Sequence, residues 1–157
     1  MELKEYQNEA IEGLIDNEEA LSELYKIYSE KFPDDKEFWL GLSQDETVHA
    51  NWIRNLRDRT KKGSAFFNED RFRLEAIKTF LGEVNKQISE AKFKKLLPIN
   101  ALSTAYYLES SLIERKCLEV FEGDSVELKH LLKNLAEATK KHSEKVSEQL
   151  NKLRNKE

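Results

Sequence analysis

The chain has 157 residues, of which 39% are apolar and 36% are charged, and it contains only five glycines and two prolines. This composition excludes collagen-like, low-complexity and disulfide-rich chains, and it disfavours all-β architectures, whose many turns need glycine and proline. A net charge of −4 gives no electrostatic basis for binding nucleic acid. The sequence therefore predicts one all-α domain, residues 1–157, in which each helix buries one apolar face.

Helix-breaking residues divide the chain into five predicted helices. The first covers about residues 3–31 and stops before Pro33, because proline disfavours helical geometry at the preceding residue. The second covers about residues 35–62 and ends at Gly63, which follows two basic residues in a common helix stop signal. The other three helices are expected at about residues 69–94, 99–121 and 125–154.

Four of these helices can align as one antiparallel bundle, with the residues from 63 to 98 connecting its two halves. Two helical hairpins joined by a long crossover are a known four-helix arrangement. The connection contains the third helix, which has a predicted apolar stripe of Phe72, Ala76, Phe80, Val84, Ile88 and Ala91. No strand, second domain or flexible linker is expected.

Neither a signal peptide nor a membrane-spanning segment is expected. Residues 1–5 lack a basic region followed by an apolar run, and the longest uncharged stretch, Leu96 to Leu108, is too short to cross a bilayer. We therefore expect a cytoplasmic protein without membrane or nucleic-acid partners.

Polar residues occupy the centre of four predicted apolar stripes. Steps of three and four residues keep one face of a helix towards the core. In the first helix the inward positions are Ile11, Leu14, Glu18, Leu21, Tyr25, Tyr28 and Phe32. In the second helix they are Trp39, Leu42, Glu46, His49, Ile53 and Leu56. The central polar residues of the last two helices are Glu109, Thr139 and His142.

These inward acids predict a metal site. An unpaired carboxylate in a protein interior costs on the order of several kcal/mol or takes up a proton. The central stripe positions carry no Lys or Arg, so a divalent cation is the expected partner of the acids. Carboxylates combined with imidazoles favour iron, manganese or zinc over magnesium or calcium. The candidate metal ligands are Glu18, Glu46, His49, Glu109 and His142.

Each of these residues alone has a simpler explanation. A Glu-x-x-His spacing arises easily by chance in a chain so rich in Glu, and a lone histidine on an apolar face more often makes a hydrogen bond within the core. The combination is more specific, because Glu18 precedes Glu46 by 28 residues and Glu109 precedes Thr139 by 30. This spacing predicts two helical hairpins in the same register. His130 lies off the central line, so we expect it at the surface or its boundary.

The pattern resembles the rubrerythrin-like branch of the ferritin-like superfamily over nearly the whole chain. The first hairpin carries the likeness most closely, in the segments 18–25 and 45–50, and the second is similar but looser, in the segments 101–114 and 135–142. The resemblance implies a ferritin-like antiparallel bundle with a di-iron carboxylate site. Such proteins take one Glu from each of two helices and a Glu-x-x-His from each of the other two.

The resemblance also assigns roles to the candidate ligands. Glu18 and Glu109 match the terminal carboxylates, and Glu46 matches one bridging carboxylate. His49 and His142 match the imidazole ligands. Thr139 departs from the pattern, because it stands where the second bridging Glu would be.

Two consequences follow from the departures. A hydroxyl cannot bridge two ions as a carboxylate does, so Thr139 predicts weaker or single occupancy of the second position, or a water, anion or oxo group in the gap. The only cysteine, Cys117, cannot hold the iron of the rubredoxin-like module that full rubrerythrins carry. Electrons would then come from an external donor.

The resemblance implies a non-haem iron oxidoreductase that reacts with peroxide or dioxygen, and a homodimer. Tyr25, Tyr28, Tyr106 and Tyr107 could carry oxidising equivalents near the site, although packing in the bundle also explains each of them. The alternative is a degenerate bundle with one metal or none, acting as a structural or protein-interaction module. Thr139 and the missing electron donor favour this alternative. Iron storage in a cage ranks lower, because nothing in the sequence identifies cage-forming surfaces.

Overall fold

The computed structural model describes residues 5–61, 66–67, 74–115, 121–122 and 126–156. Nearly all of these described residues belong to five helices, which are α1 (Glu5–Lys31), α2 (Lys36–Lys61), α3 (Leu74–Phe93), α4 (Pro98–Arg115) and α5 (Val126–Asn155). A 3-10 turn at Pro33–Asp35 joins α1 to α2. Two short strands, β1 (Phe66–Phe67) and β2 (Phe121–Glu122), pair antiparallel. The predicted all-α class is confirmed.

The helix boundaries follow the predicted breakers closely, with one error. Helix α4 begins at Pro98, because a proline in the first helical turn lacks only an N–H that would have no partner there. The predicted end of this helix at residue 121 is wrong, since Phe121 lies in β2. The expectation of no strand fails at the same place, because a two-residue strand leaves no alternation of polarity in the sequence. The predicted helical residues 69–73 and 116–120 lie outside the described part of the chain.

Helices α1 and α2 form an antiparallel hairpin, and two serines form hydrogen bonds between the helices. The hydroxyl of Ser22 donates to the carbonyl oxygen of Ser43 at 2.8 Å, and the hydroxyl of Ser43 donates to the carbonyl oxygen of Ser22 at 2.8 Å. Nearer the start of α1, Glu12 accepts a hydrogen bond from Arg57 at 2.5 Å. These pairs fix the register of the hairpin, so α1 and α2 hold their polar inward residues at matching heights.

Helix α3 packs along α1 and does more than connect two halves of the chain. The two helices run parallel, since Gly13 of α1 lies against Ile77 near the start of α3, and Lys31 at the end of α1 donates to the carbonyl oxygen of Lys94 at 2.8 Å. A lysine at this position satisfies carbonyl groups that a helix end leaves without partners. The buried stripe of α3 is Ile77, Phe80, Val84, Ile88 and Ala91.

The predicted stripe of α3 therefore needs one correction. Ala76 is only half-buried, and Ile77 takes the inward place beside α1. The flat surface at Gly13 provides the room for Ile77, and the sequence of α3 alone does not contain that information. Phe72 lies outside the described residues.

Two apolar layers enclose the middle of the bundle. On one side, a cluster of buried residues draws on all five helices and is centred on aromatic rings, with Trp39 lying 5.7 Å from Tyr25 and 4.9 Å from Tyr28 between ring centroids. On the other side lie the buried residues Ile11, Leu14, Ile53 and Leu56. The polar residues of the stripes lie between these layers. Among the described helices, none combines the length and apolar character needed to span a membrane.

The close approach of α1 and α3 generates a stability prediction. A Cβ atom added at Gly13 would lie 2.7 Å from Cγ2 of Ile77, which is an overlap with a β-branched side chain that cannot swing away. Overpacking of this kind costs about 1–3 kcal/mol, partly offset by about 1 kcal/mol gained from the better helix propensity of alanine. We expect Gly13→Ala to lower the free energy of unfolding in urea by about 1 kcal/mol.

Gly82 on α3 provides the matched control, because a Cβ atom there meets nothing within 4 Å. Gly82→Ala is expected to raise the free energy of unfolding by about 0.5–1 kcal/mol. The double variant Gly13→Ala, Ile77→Ala removes the overlapping methyl group and should show a coupling between the two positions. Equal stabilisation by both glycine substitutions would contradict the described contact.

Candidate metal centre

Five polar side chains meet between the two apolar layers, and they come from four helices. Glu18 belongs to α1, Glu46 and His49 to α2, Glu109 to α4 and His142 to α5. Their exposed fractions are only 8%, 1%, 4%, 0% and 2% in that order. The structure therefore buries all five candidate ligands named from the sequence. His130 is exposed on α5, as expected.

The carboxylate of Glu46 lies at the centre of this group, between two imidazoles. Its Oε1 lies 2.8 Å from Nδ1 of His142, and its Oε2 lies 3.2 Å from Nδ1 of His49. One ligand atom from each of these three residues lies within 4.8 Å of the other two. This buried cluster of Glu46, His49 and His142 could hold a metal ion.

The two remaining carboxylates flank the cluster on opposite sides. Oε2 of Glu18 lies 3.8 Å from Nδ1 of His49, and Oε1 of Glu109 lies 3.7 Å from Nδ1 of His142. Oε2 of each of these glutamates is buried without a hydrogen-bond partner among the described residues. A buried carboxylate oxygen without a donor is costly. A cation between the carboxylates would remove that cost, so the donor set fits a metal.

Two further residues, Tyr25 and Asp45, orient the candidate ligands Glu109 and His142. The hydroxyl of Tyr25 donates to Oε1 of Glu109 at 2.7 Å. Nε2 of His142 lies 2.9 Å from Oδ2 of Asp45. Such outer partners fix the orientation and tautomer of metal-binding side chains. Tyr25 is one of the four tyrosines predicted near the site. Asp45 was not predicted there, since a charged residue off the apolar stripe looks like part of a solvated face.

Other positions near the predicted site differ in how exposed they are. Tyr106 and Tyr107 are 43% and 57% exposed, so they are surface residues of α4. Thr139 is half-buried on α5, one turn before His142. Glu137 is exposed, so it does not take the place of the carboxylate that Thr139 lacks.

Electrostatics favour protonated groups at the centre when no cation is present. Burial lowers the pKa of His49, but the neighbouring carboxyl groups of Glu18 and Glu46 outweigh that effect and raise the pKa to about 9. Burial likewise lowers the pKa of His142, while Glu109 and Glu46 raise it to about 11. Burial, together with the nearby charge of Glu46, raises the pKa of Glu18 well above its usual range. A bound metal ion would displace these protons, because histidine binds metals in its neutral form.

A cleft of about 270 Å³ between α2 and α5 leads from the surface to the cluster. His49 and His142 line its inner part, with Trp52 close to His49 at 5.4 Å between ring centroids. The exposed side chains of Lys141 and Lys145 also line it. The cleft therefore extends from the surface to the two histidine side chains of the cluster.

The raised pKa values predict that the metal-free protein loses stability as the pH rises above 6.5. The unfolded chain releases its histidine protons near pH 6.5, whereas folded His49 keeps its proton up to about pH 9. The folded state then binds more protons, so the free energy of unfolding falls with pH through this window. We expect a loss on the order of a few kcal/mol between pH 6.5 and pH 9, measured by urea unfolding of chelator-treated protein.

His142→Gln should flatten this profile, because it removes one of the two histidine protons that the folded state retains. His130→Ala replaces an exposed histidine on the same helix and serves as the control, with a profile expected to follow the unsubstituted protein. Constant stability from pH 6.5 to pH 9 in the unsubstituted, metal-free chain would contradict the described hydrogen bonds around Glu46.

No family model matches the chain, and neither a curated protein nor a solved structure matches it. The buried cluster of Glu46, His49 and His142 and the two glutamates beside it are therefore the features that indicate the function of the chain.

Proposed function

We propose that this protein is a rubrerythrin-like, non-haem iron protein of the ferritin-like type, which reacts with peroxide or dioxygen. One observation carries the proposal. The buried carboxylate of Glu46 is shared by His49 and His142, while Glu18 and Glu109 each present an unpartnered buried oxygen on opposite sides. Three carboxylates and two imidazoles make a donor set suited to iron, manganese or zinc.

Each part of the site has a role in this function. Glu18, Glu46, His49, Glu109 and His142 would hold the metal, and iron bound there would supply electrons to the oxidant. The Tyr25 hydroxyl keeps Glu109 oriented, and the cleft beside Trp52 admits a small oxidant while the bundle excludes bulk water elsewhere. Electrons would return from an external donor, and a homodimer is the proposed assembly by resemblance.

Thr139 indicates that this centre has one carboxylate ligand fewer than the pattern of the superfamily. With three carboxylates in place of four, the donor set balances less positive charge and has a single carboxylate, Glu46, between the two imidazoles. The proposal therefore includes occupancy by one or two ions.

The second candidate function is a bundle that keeps one metal or none and acts as a structural or interaction module. Thr139 is the observation in its favour.

Metal binding should appear first as a change in stability. A ligand at about 100 times its dissociation constant stabilises the folded state by about 2.7 kcal/mol, which for a chain of this size raises Tm by about 5–10 °C. We expect this rise when Fe²⁺ is added anaerobically to the metal-free chain. Glu46→Gln should abolish the rise. Glu30→Gln, an exposed glutamate on α1, should keep it.

Turnover of the oxidant separates the two candidate functions. The chain loaded with Fe²⁺ is expected to consume hydrogen peroxide at least about tenfold faster than the same concentration of free Fe²⁺, a difference of about 1.4 kcal/mol in the barrier. Glu46→Gln should reduce the rate to that of free Fe²⁺, and Glu30→Gln should leave it unchanged. Metal-linked stability without faster peroxide consumption would favour the structural module.

A further inference from the structure

The candidate metal centre consists of two half-sites that place corresponding residues around Glu46. Glu18 and His49 lie on one side, and Glu109 and His142 lie on the other, with closest oxygen–nitrogen distances of 3.8 and 3.7 Å. The correspondence extends beyond these ligands. Position 45 on α2 and position 138 on α5 each precede a histidine of the centre by four residues, and both positions line the same cleft. The surroundings of the two histidines can therefore be compared directly.

Both ring nitrogens of His142 lie within hydrogen-bond distance of a carboxylate. Nδ1 lies 2.8 Å from Oε1 of Glu46, and Nε2 lies 2.9 Å from Oδ2 of Asp45. When Asp45 accepts the Nε2 proton, Nδ1 is the nitrogen that is left to bind a cation. The glutamate on this side is held as well, because the Tyr25 hydroxyl donates to Glu109 at 2.7 Å. This half-site is preorganised before any metal arrives.

Among the described residues of α5, no carboxylate contacts His49 as Asp45 of α2 contacts His142. Ala138 stands at the position that matches Asp45, and its methyl group cannot accept a ring N–H. Thr139 stands at the position that matches Glu46. The contact from Nδ1 of His49 to Glu46 is 3.2 Å long, against 2.8 Å for His142. His49 therefore has a longer contact with Glu46 than His142 has, and it has no carboxylate at position 138 to match Asp45.

We propose that the half-site of His142, Glu109 and Glu46 binds the first metal ion, and that Asp45 is the positioning residue that gives it this priority. The inference rests on the proposed function, since it concerns the order in which the same centre fills. Loss of the outer partner of a metal-binding histidine lowers metal affinity by about 10- to 100-fold. The two half-sites are expected to differ by a factor of about that size.

Titration of the metal-free chain with Co²⁺ tests this order, followed by calorimetry and by the visible absorption of the bound ion. We expect one tight phase and a second phase at least about tenfold weaker. His142→Ala should abolish the tight phase, whereas His49→Ala should keep it. Asp45→Asn should weaken the tight phase by about 10- to 100-fold and alter its absorption spectrum. Asp58→Asn, at an exposed aspartate of the same helix, is the matched control.

A gain of affinity provides the complementary measurement. Ala138→Asp would place a carboxylate where His49 lacks one, so it is expected to strengthen the second phase by about tenfold and to leave the first phase unchanged. Position 45 is half-exposed and position 138 is half-buried, so neither substitution disturbs the apolar layers. The order of filling can thus be read from these two variants even if His142→Ala does not fold.

The outcomes distinguish this inference from the proposed function. A tight phase that survives His142→Ala but not His49→Ala would overturn the inference, and so would a single phase lost in both variants, as expected for one ion shared by two imidazoles. An unchanged tight phase in Asp45→Asn would overturn the role of Asp45. In each of these cases the chain still binds a metal. If the unsubstituted chain binds no Co²⁺, the metal-binding function itself fails.

Discussion

The interaction on which the structure depends is the sharing of one buried carboxylate, that of Glu46, by two imidazoles. Its oxygens are held at 2.8 and 3.2 Å by histidines from two different helices. A carboxylate this deeply buried is tolerated only with charged or hydrogen-bonding partners. Helices α2 and α5 must therefore meet at this height. The same contact draws in α1 and α4, because Glu18 and Glu109 approach the same two imidazoles from either side.

Helix α1 supplies much of the framework that keeps these groups in place. It runs antiparallel to α2, where the reciprocal Ser22 and Ser43 hydrogen bonds set the register, and parallel to α3, where Gly13 allows the backbone to approach Ile77 closely. It also reaches α4 through the Tyr25 hydroxyl. A site held by side chains of rigid helices keeps its geometry better than one built on loops, and the enclosing apolar layers reinforce this effect.

The sequence predicted which polar residues of the candidate site are buried, for a simple physical reason. Steps of three and four residues define one helix face, so a polar residue on that face is visible as a break in an apolar pattern. Glu18, Glu46 and His142 were found in this way, and the structure buries each of them. Asp45 was missed because it lies off the apolar face, where charged residues are common and carry no signal.

The wrong predictions about the fold also concern features that leave no local pattern in the sequence. The inward place of Ile77 depends on a glycine in another helix, and the parallel packing of α3 on α1 joins residues far apart in sequence. The two-residue pairing of β1 with β2 is too short to leave a periodic pattern. Local periodicity shows which face of a helix is buried, but it does not show which helix covers that face.

The arrangement of the helices gives a bound ion a mechanical role as well. Glu18, Glu46 and His49 belong to the first hairpin, whereas Glu109 and His142 belong to the second, and α2 and α5 otherwise touch only lightly. An ion would cross-link residues that are 96 positions apart, such as Glu46 and His142, and so close a very long loop of chain. Because the ion would bind the folded centre and not the unfolded chain, it would stabilise the contact between the two hairpins. A metal at this point would cross-link the two hairpins. In its absence, we expect the two hairpins to separate from each other before either of them unfolds.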